Sequence, residues 1–325
     1  MAQRVVITRD LPGDPAGRLR AASGLEIDEL FQHPEDRALP RARLLDAVQG
    51  ATAVITTPAD QVDAEFLDAA GPQLRIVSNF AVGVDNIDLA EARRRAILVG
   101  HTPDAVTEPT ADIAWLLLLG AARRATKAIE TVRSGQWAGL GVQELLGTRL
   151  VGKKILIVGA GRIGLAVARR ALGWRMEVLY VARSRHPEFH ASPIDGRRVD
   201  LLAGLTEADV VSVHTPLTPE TRHLIGEREL AAMRPDAILV NTSRGAVLDE
   251  NALVRALRGR KLLAAGLDVY EREPRLADGL AELENAFLLP HIGSATFDDR
   301  VWMMEIAVDN AIAAMRGEMP PHVIR

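Results

Sequence analysis

The chain alternates short runs of apolar, β-branched residues with longer stretches in which Ala and Leu recur at helical spacing. In the first hundred residues, Val5–Thr8, Ala53–Thr57, Arg75–Ser78 and Ile97–Val99 read as strands. Strands that alternate with helices predict a parallel α/β layer, because a crossover helix brings the chain back to the start of the next parallel strand. The pattern then changes. From Thr110 to about Arg133 there is no Pro and no Gly but Gly120, which predicts one long helix; a loop with Gly135, Gly139, Gly141 and Gly147 follows. A second series begins near Lys153: Lys154–Val158, Val178–Val181, Val210–Val213, Ile238–Asn241, Ala264–Leu267 and Ala286–Leu289. Helical segments such as Ile163–Leu172 and Asn251–Leu257 separate most of these runs, which is the rhythm of a six-stranded doubly wound sheet. Thr296–Arg316 is amphipathic, ends at Gly317 ahead of Pro320-Pro321, and is expected to pack back on the N-terminal layer. The expected organisation is therefore a discontinuous first domain, 1–100 with 294–325, and a second domain, 101–293. No internal repeat interrupts this reading.

Composition narrows the chemistry. The chain has 325 residues, enough for two domains, with 48% hydrophobic and 25% charged residues. A net charge of -4 with interspersed signs gives no basic stripe, which disfavours nucleic acid and anionic membranes as partners. The absence of cysteine rules out disulfides, a thiolate nucleophile and any Cys-ligated metal or cluster, and no metal site is expected. The longest apolar run, Ile113 to Leu119, is too short to span a bilayer, and Met1 to Thr8 carries no secretory pattern, so a cytoplasmic address is the expectation.

The strand run Lys154–Val158 leads directly into Gly159-Ala160-Gly161-Arg162-Ile163-Gly164 and then an Ala- and Val-rich helix. In strand–turn–helix context this G-x-G-x-x-G spacing has a physical rationale. Gly159 permits the tight turn, Gly161 lets the backbone approach a pyrophosphate, and Gly164 lets helix and strand pack closely. The helix N-terminus supplies unpaired N–H donors. The next strand ends at Ala182, where an NAD site would place a carboxylate, and Arg183-Ser184-Arg185 follow. Without the carboxylate, and with two guanidinium forks, the 2′-phosphate of NADP is favoured over the 2′-hydroxyl of NAD, although NAD remains possible. The alternative is that both arginines only solvate a loop.

Three later strand ends carry polar groups, where ligands bind in open α/β sheets. Ile238–Asn241 runs into Thr242-Ser243-Arg244-Gly245; Ala264–Leu267 runs into Asp268 and Glu271-Arg272-Glu273-Pro274; Phe287-Leu288-Leu289 ends at Pro290-His291-Ile292-Gly293. An Arg suited to a carboxylate and a His with an acidic partner suit a 2-oxo acid. Together with Ser78–Asn86 and Thr102-Pro103-Asp104, these strings resemble the D-2-hydroxyacid dehydrogenase family along nearly the whole chain. Ala182–Arg185 and the ending Arg316–Pro321 are most similar to its NADP-preferring glyoxylate and hydroxypyruvate reductases.

The resemblance implies an α/β fold of two doubly wound parallel-sheet domains, a Rossmann cofactor domain and a flavodoxin-like substrate domain, with a cleft between them that closes over the substrate. It implies that Arg244 holds the substrate carboxylate and polarises the 2-oxo group, that His291 is the general acid, and that Glu273 orients His291. Backbone N–H groups of Ala81-Val82-Gly83 would grip the carboxylate. Asp268 would meet the nicotinamide carboxamide, Thr242 would lie beside the cofactor, and Val106 is a further cofactor candidate. The cofactor contacts expected with these are Arg162, Ile163, His214, Pro216 and Gly293. Relatives pair through the region of the long helix, which implies a homodimer. Phe80 and His101 depart from the more usual Tyr and Asn, outside the inferred chemistry. Two other readings stay open: another dehydrogenase of the family such as a phosphoglycerate dehydrogenase, against which the chain length argues in part, and a non-catalytic nucleotide-sensing interaction module. A formate dehydrogenase is disfavoured by Glu273.

Overall fold

The computed structural model describes residues 3–22 and 24–324. Met1 and Ala2, where the stretch read for a leader begins, lie outside the described residues, as do Ser23 and Arg325. The chain divides into two compact units, Met1–Val106 with Ser294–Arg325, and Thr107–Gly293. Residues 101–106, expected in the second domain, group with the first unit.

The first unit runs β1 (Arg4–Ile7), α1 (Pro15–Ala21), β2 (Glu29–Gln32), α2 (Arg41–Val48), β3 (Ala53–Thr56), α3 (Ala64–Ala70), β4 (Ile76–Asn79), α4 (Leu89–Arg94) and β5 (Leu98–Gly100). All pairings are parallel, in the order β2-β1-β3-β4-β5, which is the flavodoxin-like order. β3 and β4 are buried throughout, as strands inside a parallel sheet are, and their polar residues Thr56, Ser78 and Asn79 are hydrogen-bonded. Asp63 and Asp88 start α3 and α4 by accepting hydrogen bonds from the backbone N–H groups of Phe66 and Glu91. Strand β2 was not expected: it lies at the sheet edge, part-exposed, and Glu29-Leu30-Phe31-Gln32 shows no alternation to announce it.

The second unit runs α5 (Thr107–Ala122), α6 (Ala125–Arg133), β6 (Lys154–Val158), α7 (Arg162–Ala171), β7 (Glu177–Val181), α8 (Pro187–His190), β8 (Arg197–Arg198), α9 (Leu201–Glu207), β9 (Val210–Val213), α10 (Glu227–Ala232), β10 (Ile238–Asn241), α11 (Glu250–Arg258), β11 (Ala264–Leu267) and β12 (Ala286–Leu288). The six expected strands are present, and the short β8 adds a seventh at one edge, giving the parallel order β12-β11-β10-β9-β6-β7-β8. The strand order reverses between β6 and β9, which is the switch point of a dinucleotide-binding sheet.

The single long helix expected from Thr110 to Arg133 is instead two. Arg124 adopts a left-handed conformation (φ 53°) between α5 and α6. The carbonyl of Ala122 accepts a hydrogen bond from the Thr148 backbone at 2.9 Å, so a loop returning from further along the chain competes for the helix end. A Cβ on Gly147 would stand 2.4 Å from that carbonyl oxygen, so glycine is needed for this approach. The two helices differ in burial: α5 is enclosed along most of its length, whereas no residue of α6 is fully buried.

After Gly293 the chain returns to the first unit as α12 (Phe297–Arg316), capped by Thr296 and closed by Gly317 at φ 77°. Ser78 Oγ donates to the Ala307 carbonyl at 2.8 Å, Arg75 donates to that of Met315 at 2.8 Å, and Arg18 of α1 pairs with Asp309 at 3.0 Å. Val323 bridges Gly100 at the edge of β5. No helix among the described residues is long and apolar enough to cross a membrane.

Candidate active site

At the end of β6, Gly159 has φ 106°, and a Cβ there would lie 2.7 Å from the His214 carbonyl carbon. A Cβ on Gly164 would lie 2.2 Å from the Gly159 oxygen, so glycine is needed for α7 to sit close on the strand. At Gly161, the N-cap of α7, a Cβ would meet nothing within 4 Å, and no side chain caps the helix. Arg162 is exposed at the start of α7, and Ile163 packs partly into the core. An open, uncapped helix N-terminus approached through glycine fits a dinucleotide pyrophosphate.

β7 ends beside Ala182, and Arg183, Ser184 and Arg185 follow as exposed residues. After β9, His214 lies between the ends of β6 and β10. Its Nε2 is 2.8 Å from Ser212 Oγ, and its Nδ1 is 3.4 Å from Thr242 Oγ1. Part of the residue reaches the surface, but burial of the imidazole lowers its pKa to about 3, so the ring is neutral near pH 7. Pro216 is exposed, and its carbonyl accepts from Thr221 Oγ1 at 2.7 Å.

Beyond β10, buried Asn241 makes a side-chain turn. Its Oδ1 accepts from the Ser243 backbone N–H at 3.0 Å and from Ser243 Oγ at 2.8 Å, and its Nδ2 donates to the Arg244 carbonyl at 3.0 Å. This turn sets the direction of Arg244, whose Nη1 donates to the Ser243 carbonyl at 2.8 Å. Gly245 then lies against the loop after β11: a Cβ there would stand 1.8 Å from the Tyr270 carbonyl carbon. Glycine alone lets the Arg244 loop come this close to the loop that carries Glu273.

Glu273 and His291 are hydrogen-bonded, Oε2 to Nδ1, at 2.8 Å. The other carboxylate oxygen accepts from the Tyr270 backbone N–H at 2.9 Å. Burial works to raise the Glu273 pKa, but the bond to His291, the charges of His291 and Arg244, and the Tyr270 N–H outweigh it and hold the carboxyl below its usual range. His291 itself has φ 55°, a left-handed backbone that costs a β-carbon-bearing residue about 1 kcal/mol or more. Fixed contacts flank it. The Ile292 N–H donates to buried Asp268 at 2.8 Å, and Tyr270 Oη donates to the Leu289 carbonyl at 2.8 Å. Burial raises the Asp268 pKa, against the N–H groups of Ile292 and Gly293 and the charge of His291. The Gly293 carbonyl accepts from Thr110 Oγ1 at 3.2 Å. Beneath the loop, buried Glu250 accepts from the Glu271 N–H, and burial raises its pKa as well.

The second unit thus gathers Arg244, Glu273, His291, Thr242 and Asp268 at the carboxyl ends of β10, β11 and β12. Sequence reading missed Asn241, Gly245, Glu250 and Tyr270, which aim these groups. The usable signals were a lone Asn closing an apolar strand and a Gly directly after Arg244. Ala81-Val82-Gly83 and Val106 belong to the first unit. In that loop the carbonyls of Ala81 and Gly83 accept from Thr102 N–H and Asn79 Nδ2, at 2.8 and 2.9 Å, and that of Val82 lies 3.2 Å from His101 Nδ1. The Ala81 N–H donates to the Asn79 carbonyl, so of the three N–H groups expected to grip a carboxylate those of Val82 and Gly83 remain.

Residues 115–293 match the family described as D-isomer specific 2-hydroxyacid dehydrogenase, NAD binding domain. The chain is 46% identical to a glyoxylate reductase of Thermococcus litoralis, covering 100% of this chain and 97% of that protein. It is 40% identical to glyoxylate/hydroxypyruvate reductase B of Erwinia tasmaniensis, covering 100% and 99%. Its fold matches that of an NADPH-dependent glyoxylate/hydroxypyruvate reductase from Sinorhizobium meliloti, solved with NADP and malonate, at a TM-score of 0.86 and 30% identity over 100% of this chain and 97% of that one. With a matching family across the nucleotide-binding unit and relatives aligned end to end, the chain belongs to the D-isomer specific 2-hydroxyacid dehydrogenase family.

Proposed function

We propose that this protein reduces a small 2-oxo acid, glyoxylate or hydroxypyruvate, to the 2-hydroxy acid (the D isomer where the product is chiral), with NADPH preferred over NADH. The observation that carries the reading is the Glu273–His291 pair at 2.8 Å, with the charge of Arg244 acting on the same carboxylate. Full-length similarity to glyoxylate reductases supports the substrate class.

A reduced nicotinamide cofactor, when bound, supplies the hydride. Gly159, Gly161 and Gly164 with the first turn of α7 would hold its pyrophosphate, Thr242 and Asp268 would flank the nicotinamide end, and Arg183 and Arg185 would favour a 2′-phosphate. Arg244 receives the substrate carboxylate and polarises the 2-oxo group. His291 donates the proton at Nε2 to the oxygen that gains negative charge, since its Nδ1 is bonded to Glu273. Glu273, kept ionised, holds the imidazole in place through its bond to Nδ1. The surface from α5 through the loop after α6 supports pairing of two copies: Val132, Trp137, Leu140, Val142 and Leu146 are exposed apolar residues there.

The test follows loss of NADPH or NADH absorbance with glyoxylate, hydroxypyruvate, pyruvate and phosphohydroxypyruvate, using the wild type and His291→Ala. The expected result is fastest turnover of the two small polar oxo acids with NADPH. His291→Ala should lower kcat by about 10²–10⁴-fold while NADPH still binds. Fastest turnover of phosphohydroxypyruvate would move the substrate assignment to a phosphoglycerate dehydrogenase, and an NADH preference would overturn the cofactor assignment alone.

A further inference from the structure

β8 is only Arg197–Arg198, paired in register so that Arg198 lies opposite Tyr180 of β7. Neighbouring strand residues point to opposite faces, and the two arginines do. Arg197 pairs with Glu207 at 2.7 Å and reaches toward Glu177. Arg198 instead runs past the end of β7, its Nε donating to the Ala182 carbonyl at 3.1 Å and its Nη2 to the Arg183 carbonyl at 3.0 Å. A third guanidinium is therefore fixed against the segment that would meet the adenosine ribose of a dinucleotide, and no carboxylate pairs with it among the described residues. Arg183 differs: the Glu220 carboxyl is held below its usual range first by Thr218 and also by the charge of Arg183, so an acidic group competes for that arginine. The far end of the segment is anchored too. Tyr180 Oη accepts from the His186 N–H at 3.2 Å and lies 2.7 Å from His190 Nε2.

We infer that Arg198 is a specificity-determining residue for the cofactor. Its charge and its remaining nitrogen, Nη1, engage the 2′-phosphate, while Nε and Nη2 hold Ala182 and Arg183 so that the neighbouring arginines face the same group. Arg198 is exposed, as Arg183 and Arg185 are, but an arginine already held by two hydrogen bonds loses less side-chain freedom on binding an anion. The inference rests on the NADPH preference proposed above and adds a residue outside the segment from which that preference was read.

Calorimetric titration with 2′,5′-ADP and with 5′-AMP isolates the 2′-phosphate without requiring turnover. The wild type should bind 2′,5′-ADP more tightly. Arg198→Ala should weaken 2′,5′-ADP by about 10-fold and leave 5′-AMP within about 2-fold. Arg198→Gln keeps an amide donor without the charge and should lose the same selectivity; thermal midpoints check that both variants fold. Equal weakening of both ligands would reduce Arg198 to a scaffold residue and overturn the inference, as would a variant that keeps the wild-type selectivity. A wild type with no selectivity would overturn the cofactor reading, and this inference with it.

Discussion

Neutral His214 illustrates how a single side chain couples stability to pH. It sits among Ser212, Thr242 and the Gly159 turn, and burial holds its pKa at about 3. An unfolded chain would protonate the same group near pH 6.5. Between about pH 6.5 and pH 3 the unfolded state therefore binds a proton that the folded state does not, so folding stability from this residue is present above 6.5 and declines as pH falls. The slope reaches about 1.4 kcal/mol per pH unit. His214→Asn should flatten this decline: its thermal midpoint should fall less than that of the wild type between pH 6.5 and 4.5. Parallel midpoint curves would show that the imidazole already exchanges protons freely in the folded protein.

Among the elements, the loops after β10 and β11 show how the site depends on spacing between backbones. Gly245→Ala would put a methyl group 1.8 Å from the Tyr270 carbonyl carbon, which forces the Arg244 loop and the Glu273 loop apart. The expected cost is about 1–3 kcal/mol in chemical denaturation. The KM for the oxo acid should rise with it, while 2′,5′-ADP binding at the β6–β7 end stays unchanged. An unaltered KM would mean that Arg244 does not depend on this contact. The strands that carry Arg244, Glu273 and His291 were legible in the sequence because each is a short, fully apolar run closed by polar residues. The groups that aim them were not, since Asn241, Tyr270 and Glu250 act through bonds made only after folding. For the same reason β2, β8 and the break at Arg124 escaped notice. Each arises from backbone partners distant in sequence, Gln3–Ile7, Tyr180 and Thr148, rather than from a local pattern.

At the scale of the molecule, the apolar run Ile113–Leu119 within α5 is mostly internal: Trp115, Leu117 and Leu118 are buried, and Trp115 stacks on Trp174 at 5.7 Å. The exposed apolar residues of this region are Leu116 on α5 itself, then Ile129 and Val132 on α6, and the following loop, where Leu140 is 94% and Val142 87% exposed. Two copies pairing there would remove this surface from water. Sedimentation should give a dimer for the wild type, and Leu140→Asp with Val142→Asp should give a folded monomer. A wild type that sediments as a monomer at every concentration would refute the pairing.

The return of α12 to strands laid down near the start of the chain also sets an order of events during synthesis. When Gly293 has left the ribosome, every strand and helix of the unit Thr107–Gly293 has been made. The earlier-made strands β3, β4 and β5 still await the helix that covers Ser78 and Arg75. All residues of the nucleotide-binding unit are therefore available while the older five-stranded sheet still lacks its last covering helix, against the usual tendency of domains to fold in the order of their first residues. In such a chain, the N-terminal layer is the part whose apolar face stays uncovered longest during synthesis.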